Sequence, residues 1–493
     1  MKWFQGAVVL VAAAHFFNML ANSRLFEKFA YGDNGWPLTV DSLLDQGLNP
    51  VTDFGYFYGL LTLLVDRAVF AIFGRKPDVL IGLYGVCALV VAIGLARLVR
   101  SANLRFFPAL FLVSCAGLSA IARGFPSPAH AIEAALLMTA LAEHAAGRLH
   151  RALLLTVLAV FFKPSLGYVY GLLLVGLILR EPDRWKKLLP AAITGGIVFL
   201  LLSVCFGIEA VIRTQIPLEA MKAYANEGFG FIKGSGRDFW LPPQSKRNFD
   251  YYFGGVAGTW LIASALLLAS AIGLIRRYRE PVAGMVVSCA VLHFTFVLAL
   301  FGNQFTWIYY TYILFAGCAV GLNLWPRRWL GNLIAFALTV ACVAGQSEWL
   351  WGRDRWTRNN TVATAETEFL PAPANIQLEW AEVRRIANRY PEEPYKVLVL
   401  TRMGGPQFIA PELDGPHWWC LIEGFTSESE LDRARDQIRA AEWIASPNWH
   451  DNDLMKWPAF ANELAKFEPA VAWYVLDGRQ VPLKSFKMYH RKR

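Results

Sequence analysis

Asp33, Asp41, Asp45 and Asp53 fall within YGDNGWPLTVDSLLDQGLNPVTDFGYFYG, residues 31–59, a polar interruption in an otherwise apolar sequence. Carboxylates in such a stretch can take a proton from an attacking hydroxyl or help hold an ion. Asp33 follows Tyr31-Gly32 and precedes Gly35, so the backbone can turn tightly there and direct a short carboxylate into a cavity. The same residue could instead cap a helix expected over Leu38–Gln46, a role Asp fills well. Asp53 could orient an acceptor, help hold an ion, or cap a helix expected from near Tyr56. Asp41 and Asp45 are four apart and share a helical face, where mutual repulsion predicts a solvated surface. Asn34, Tyr56 and Tyr58 are the stretch's further candidates for substrate contact.

The elements that must position these groups follow from composition. Of 493 residues, 55% are hydrophobic and 17% charged, against about 25% charged in ordinary soluble domains. The chain therefore reads as an α-helical polytopic membrane protein. Its net charge of +9 lies in short clusters between apolar runs rather than on one face, which argues for topology and against nucleic acid. Residues 7–23 form an uncleaved first helix or a signal peptide ending near Ala21-Asn22-Ser23, with the uncleaved helix preferred. Residues 60–73, broken by Asp66 and Arg67, are too short to span and predict a helix along the membrane surface, because a span needs about 20 apolar residues.

Spans are expected near 79–97, 106–122, 127–146, 152–162, 166–180, 188–206, 255–275, 282–301, 309–325 and 330–346, about eleven with the first helix. Basic clusters mark alternate connections: Arg97, Arg100 and Arg105; Arg148 and Arg151; Arg180 to Lys187; Arg276, Arg277 and Arg279; Arg327 and Arg328. By the positive-inside rule these are cytoplasmic. The acidic stretch, the long connection 207–254 and the C-terminal part then share the outer side. The organisation expected is a transmembrane domain, 1–350, with extracytoplasmic loops at about 24–78 and 207–254, and a small extracytoplasmic α/β domain, 351–493. In that domain Lys396–Leu400, Glu442–Ala445 and Val471–Leu476 read as strands, and 428–441 and 457–466 as helices.

Lys163 stands between two short apolar halves, where Pro164 breaks the helix. Inserting a lysine there costs about 3 kcal/mol, so compensation is expected, either a specific partner or snorkelling to the outer surface. Arg123, before Gly124-Phe125-Pro126, is a second cation on the outer side, or a plain interfacial anchor. Lys233 and Arg237 flank a Gly-Ser-Gly step in the long connection, among aromatic residues; cations and aromatics together suit a lipid phosphate and a sugar face, and equally a membrane interface. Asn303, Gln304, Trp307, Tyr309 and Tyr310 form a short outer connection able to hydrogen-bond a ligand or anchor helices. Arg402 to Gly405 and Trp418-Trp419 read equally as acceptor contacts or as turn and core residues. His293 predicts a packing histidine, since no second His or Cys stands at metal spacing. Of the seven cysteines, only Cys420 lies outside an apolar segment, so the C-terminal region has no internal disulfide.

Asp33-Asn34-Gly35, Gly47, Asp53-Phe54 and Tyr58-Gly59 occur in the order seen in the first outer loop of the GT-C membrane glycosyltransferases. Over residues 31–74 the chain resembles that superfamily, in the manner of protein mannosyltransferases and aminoarabinose transferases. The resemblance implies an inverting glycosyltransferase of the bacterial inner membrane, moving a sugar from a polyprenyl-phosphate donor to an extracytoplasmic lipid, glycan or protein acceptor. Asp33 would be the base, with Asp53 as its neighbour, and Lys163 or Arg123 would face the donor phosphate. Some relatives carry a similar Lys-Pro step. Asn34 stands where many carry Glu, so no metal held by two neighbouring carboxylates is implied, and a divalent ion is the one cofactor left open. The competing classes are a transporter or flippase of lipid-linked sugars and a non-catalytic envelope assembly protein.

Overall fold

Long apolar runs, several opened by proline, dictate the helices. A computed structural model describes residues 36–56, 58–75, 77–117, 128–216, 257–299, 310–351, 382–383, 385, 397–400, 421, 426–447, 455, 457–476, 479–483 and 486–492. They fall into two compact units: the described residues of 58–62 and 82–351 belong to the first, and those of 36–56, 63–81 and 382–492 to the second.

The first unit is helical. It contains most of α3 (Pro77–Ser101), then α4 (Phe106–Phe111) running into a π-helical turn, Leu112–Gly117. These are followed by α5 (Pro128–Ala145), α6 (Leu149–Phe162), α7 (Leu166–Ile178), α8 (Arg184–Phe206) and α9 (Ile208–Gln215). The set closes with α10 (Ala257–Leu274), α11 (Pro281–Ala299), α12 (Thr311–Asn323) and α13 (Arg328–Trp351). Proline at the first position of α5 and α11 presets the helical φ where no N–H bond is lost. Three described helical stretches are long and apolar enough to cross a membrane: Gly82–Ser101, Arg184–Phe206 and Thr259–Arg277. The other apolar helices, such as Leu149–Phe162 and Leu166–Ile178, are shorter. On α8, Ile193, Ile197, Leu200 and Val204 form an exposed stripe, suited to hydrocarbon rather than water. The first predicted helix, 7–23, lies outside the described residues, and α9 occupies part of what the sequence reads as a long connection.

Helix α12 is buried from Thr311 to Leu322, packed by α10, α11, α13 and the π-turn. Gly317 and Gly321 permit that packing, since a Cβ on them would stand 2.5 Å from the Cys289 Cβ and 2.7 Å from the Ser270 Cβ. The end of α12 leaves carbonyls without intrahelical donors. Arg105 donates to Leu322 O at 3.0 Å and Asn323 O at 2.8 Å. Cations in the predicted cytoplasmic connections thus also close helix ends. Arg97 and Arg148 pair with the buried Glu143 at 2.9 and 2.6 Å.

The second unit holds α1 (Trp36–Asp45), most of α2 (Leu60–Phe73) and a small α/β fold. Strands β1 (Val397–Val399), β2 (Trp443–Pro447), β3 (Phe467–Ala470) and β6 (Phe486–Arg491) form a sheet ordered β1-β2-β6-β3. β1 and β2 are parallel, and the other pairs antiparallel. β4 (Trp473–Leu476) and β5 (Arg479–Pro482) make a separate hairpin. Parallel strands need a crossover, and α14 (Glu428–Ala440) lies on the path between β1 and β2. Its Ala434 and Ile438 join Leu398, Ile444, Phe460 and Leu464 in the core, the last on the short α15 (Ala461–Leu464).

A capping box fixes the start of α14: Ser427 accepts from the Glu430 N–H, and Glu430 accepts from the Ser427 N–H at 3.1 Å. Glu430 Oε2 also accepts the Gly55 N–H at 2.9 Å, while Ser429 Oγ donates to the Asp53 carbonyl at 2.9 Å. The first turn of α14 therefore fastens residues 53–55 of the acidic stretch.

Candidate functional site

Lys163-Pro164-Ser165 separates α6 from α7 as the sequence predicts. A residue before proline is driven to extended backbone, and Lys163 has φ −151° and ψ 111°. The break turns the half-buried Lys163 into a polar group within the helical unit. Its Nζ donates to Tyr310 Oη at 2.7 Å and to His130 Nδ1 at 2.8 Å, and lies 3.7 Å from Glu133 Oε2. A lysine ammonium only donates, so His130 accepts through Nδ1 and its ring is the neutral tautomer.

Glu133 and His130 come from α5, one turn apart. Glu133, 1% exposed, accepts the Tyr310 hydroxyl at 2.7 Å through Oε2 and the Ser165 hydroxyl through Oε1. Ser165 occupies the N-cap position of α7 but makes no side-chain cap bond. A serine cap is ordinarily worth about 1 kcal/mol; here its hydroxyl is committed to Glu133. The Lys163 Nζ also sits 4.9 Å from the Tyr310 ring centroid, within cation–π range.

The end of the acidic stretch reaches this group. Tyr58 packs edge-on to His130, with ring centroids 5.8 Å apart. Gly59 donates its N–H to Phe162 O, the carbonyl that precedes the Lys-Pro break. Of the candidates read from sequence, the structure brings Tyr58, Lys163 and Tyr310 to one region of the first unit. The sequence reading missed Glu133, His130 and Ser165.

Asp53 and Tyr56 belong to the second unit. Helix α2 begins at Leu60, so Asp53 does not cap it; its Oδ2 accepts the Asn49 N–H at 2.7 Å. That bond closes a tight turn in which Val51 has φ 76°, a conformation β-branched residues rarely adopt. Tyr56 is buried, and burial together with the Asp66 charge pushes its hydroxyl well above the ordinary range. Asp33, Asn34, Arg123, Lys233 and Arg237 lie outside the described residues, as do Asn303 to Tyr309, Arg402 and Trp418-Trp419.

Asp41 and Asp45 depart from the solvated pair that their spacing predicts. Asp41 keeps 7% side-chain exposure and is held by Arg75 at 2.6 Å and Arg67 at 3.3 Å. Asp45 pairs with the same two arginines. Burial opposes its charge, yet the Arg75 and Arg67 guanidiniums hold its carboxyl below the usual range. Asp66 is buried, and its Oδ1 has no hydrogen-bond partner among the described residues. His293 is a satisfied packing residue, its Nε2 3.0 Å from Ser264 Oγ and its ring against Trp260. Among the described residues no three His, Cys, Asp or Glu side chains converge on a metal position.

The chain is similar, at low sequence identity, to several solved structures. One is ArnT from Cupriavidus metallidurans, bound to undecaprenyl phosphate (14% identity, 98% of this chain and 97% of that chain, TM-score 0.45) and in the apo state (15%, 98% and 96%, 0.48). Another is the arabinofuranosyltransferase AftD from Mycobacteria (13% identity, TM-score 0.49), of which 100% of this chain matches 40% of that chain. No family model and no curated protein matches the chain.

Proposed function

We propose that this chain is a GT-C-type membrane glycosyltransferase that moves a sugar from a polyprenyl-phosphate donor to an extracytoplasmic acceptor with inversion. The observation that carries the reading is the half-buried Lys163, held at an unwound helix break by Glu133, Tyr310 and His130. Ionisable groups inside apolar helices are costly and mark functional sites, and irregular backbone at membrane depth belongs where it lines a cavity. As sugar leaves its lipid phosphate, negative charge grows on the phosphate oxygens, and an ammonium placed beside them lowers the barrier. Asp33 takes the proton of the acceptor hydroxyl in this scheme, Asp53 supports the loop that presents it, and Arg123, Lys233 and Arg237 contribute further positive charge. The C-terminal unit faces the periplasm.

The deciding experiment incubates purified protein in detergent with labelled polyprenyl-phosphate sugars and candidate acceptors. Transfer that falls in Lys163→Ala and partly survives in Lys163→Arg, which keeps the charge with altered geometry, supports the assignment. Transfer at the parent rate in folded Lys163→Ala removes it. Movement of the lipid-linked sugar across the bilayer of proteoliposomes containing the protein, without transfer, would instead identify a flippase.

A further inference from the structure

The end of α7 away from the Lys-Pro break carries a second group of cations. Arg180 lies two residues past α7, and Tyr278 and Arg279 lie in the connection between α10 and α11. Packing of α7 on α11 brings these segments together. The Arg180 Cζ stands 5.3 Å from the centroid of the Tyr278 ring, and the Arg279 Cζ 6.0 Å, both at cation–π distance. The tyrosine's own place is tightly set, since a Cβ on Gly284 of α11 would stand 2.4 Å from its carbonyl oxygen. Of the nearby acids, Glu181 pairs with Lys187 and Glu280 with Arg277. Among the described residues, Arg180, Arg276 and Arg279 form no ion pair.

Apolar residues lead up to these cations. Exposed Leu172 and Leu179 are seven apart along α7 and its last turn, and Leu179 directly precedes Arg180. Exposed Leu268, Ile272 and Ile275 run along α10 and the turn after it to Arg276. Steps of three, four and seven keep one helical face, so each track is a strip of apolar surface ending at a guanidinium. Trp185 is exposed too, with the Arg184 Cζ 5.8 Å from its ring, and tryptophan collects at the level of lipid headgroups. A soluble anion or an acidic protein would match the charge and leave the apolar tracks uncovered.

We propose that Arg180 and Arg279, set on Tyr278, hold the phosphate of an anionic phospholipid from the surrounding leaflet, its acyl chains lying along the two tracks. Guanidinium forks match phosphate oxygens in pairs, and basic pockets between helix ends at the membrane surface recognise lipid headgroups. The site is separate from Lys163 and stands whether or not the chain transfers sugar. The positive-inside rule gathers basic residues in such connections but is indifferent to which of them are removed, whereas a lipid site is not.

The test titrates the purified full chain in non-ionic detergent with dioleoylphosphatidylglycerol, binding being read by native mass spectrometry, with zwitterionic dioleoylphosphatidylcholine as the comparison. The anionic lipid should bind at least about tenfold more tightly, and Arg180→Gln/Arg279→Gln should remove most of that margin. Arg327→Gln/Arg328→Gln takes the same charge from another basic connection and should change binding less than about threefold. Tyr278→Ala should weaken binding, while Tyr278→Phe, which keeps the ring face, should bind as the parent does. Should the first double variant not fold, Arg180→Gln and Arg279→Gln singly should each weaken binding at least about threefold. Equal losses from the two double variants would show bulk attraction to a basic surface and overturn the site. Parent-level binding in Tyr278→Ala would overturn it as well. Full displacement of the lipid by glycerol 3-phosphate at the lipid's own concentration would identify a site for a free anion instead.

Discussion

Gly59 donates its backbone N–H to the Phe162 carbonyl at 3.0 Å, and Thr62 Oγ1 donates to the same oxygen at 3.0 Å. The last turn of a helix has no intrahelical donors for its carbonyls, and the break at Pro164 leaves Phe162 in that position. The end of the acidic stretch supplies the missing donors, which ties Tyr58 and Gly59 to the backbone that positions Lys163. A sequence feature read as a loop motif is thereby one half of a structural joint.

Gly59→Ala tests the joint. A Cβ there would stand 1.9 Å from Phe161 O, a clash with backbone that no side-chain rotation relieves, and overpacking of this kind costs about 1–3 kcal/mol or more. Thermal unfolding in detergent should show a clear fall. Thr62→Val should cost only about 1 kcal/mol, since the carbonyl keeps the Gly59 donor. Equal, small losses in both variants would mean that the close approach is not required.

Asp33→Asn tests the proposed base. An amide of the same shape cannot accept the proton, so transfer should fall by about two to four powers of ten. Asn caps helices about as well as Asp, so a capping role predicts nearly unchanged folding and activity. Expression and donor binding must match the parent before rates are compared. Parent-level transfer by such a protein would move the base to Asp53.

Asp66 predicts a pH dependence of stability. Burial, and after it the Asp41 charge, raises its carboxyl well above the ordinary range. The folded protein then binds this proton more tightly than the unfolded chain. Its contribution is complete below the unfolded value of about 3.9 and is lost as pH rises through the folded value. Asp66→Asn imitates the protonated form. Its melting temperature should decline less than that of the parent between mildly acid and alkaline pH, and parallel curves would show that Asp66 does not titrate in this way.

Topology is open to labelling. Single cysteines at positions 33, 233 and 402, in a background without reactive thiols, should react with an impermeant reagent from the periplasmic side, because the basic connections alternate with theirs. Labelling of position 402 from the cytoplasmic side alone would reverse the parity on which the expected number of spans depends.

The sequence was most informative where local chemistry decides. Pro164 fixes the break, so the end of α6 and the start of α7 fall where expected; residues 60–73 form α2 with those bounds. The helix expected over 428–441 is α14, Glu428–Ala440. Information was lost where partners come from distant segments. Glu133 sits in a run that reads as an apolar span, and the lysine and tyrosine that satisfy it lie on other helices. An acid in an apolar segment was the available signal, and His130 one turn earlier reinforced it. Strands β3, β5 and β6 escaped notice because β3 is four residues interrupted by Glu468 and Pro469, β5 is an exposed hairpin arm and β6 carries Lys487, His490 and Arg491, so none shows an apolar run. The spacing of Asp41 and Asp45 predicts a solvated pair, and it fails at Asp41 because the guanidiniums that hold it belong to α2 and to the residues just beyond.

Those guanidiniums supply the last prediction. Arg75 holds Asp41, a carboxylate with 7% side-chain exposure, at 2.6 Å, and is itself 28% exposed. Asp45, bridged by the same arginine, is 48% exposed. Removing one partner of a buried pair leaves a charge that water cannot reach, whereas an exposed pair contributes little because solvent screens it. Arg75→Ala should therefore cost about 1–3 kcal/mol, below the fully buried range because the arginine is partly solvated. Asp45→Ala should cost no more than about 1 kcal/mol, leaving Arg75 still engaged with Asp41. Asp41→Asn/Arg75→Ala should recover part of the Arg75→Ala loss, since it also removes the buried charge that is otherwise left with Arg67 alone at 3.3 Å. Thermal unfolding of the purified variants separates the cases. A loss in Asp45→Ala as large as in Arg75→Ala, with no recovery in the double variant, would show that the arginines do not act by neutralising Asp41.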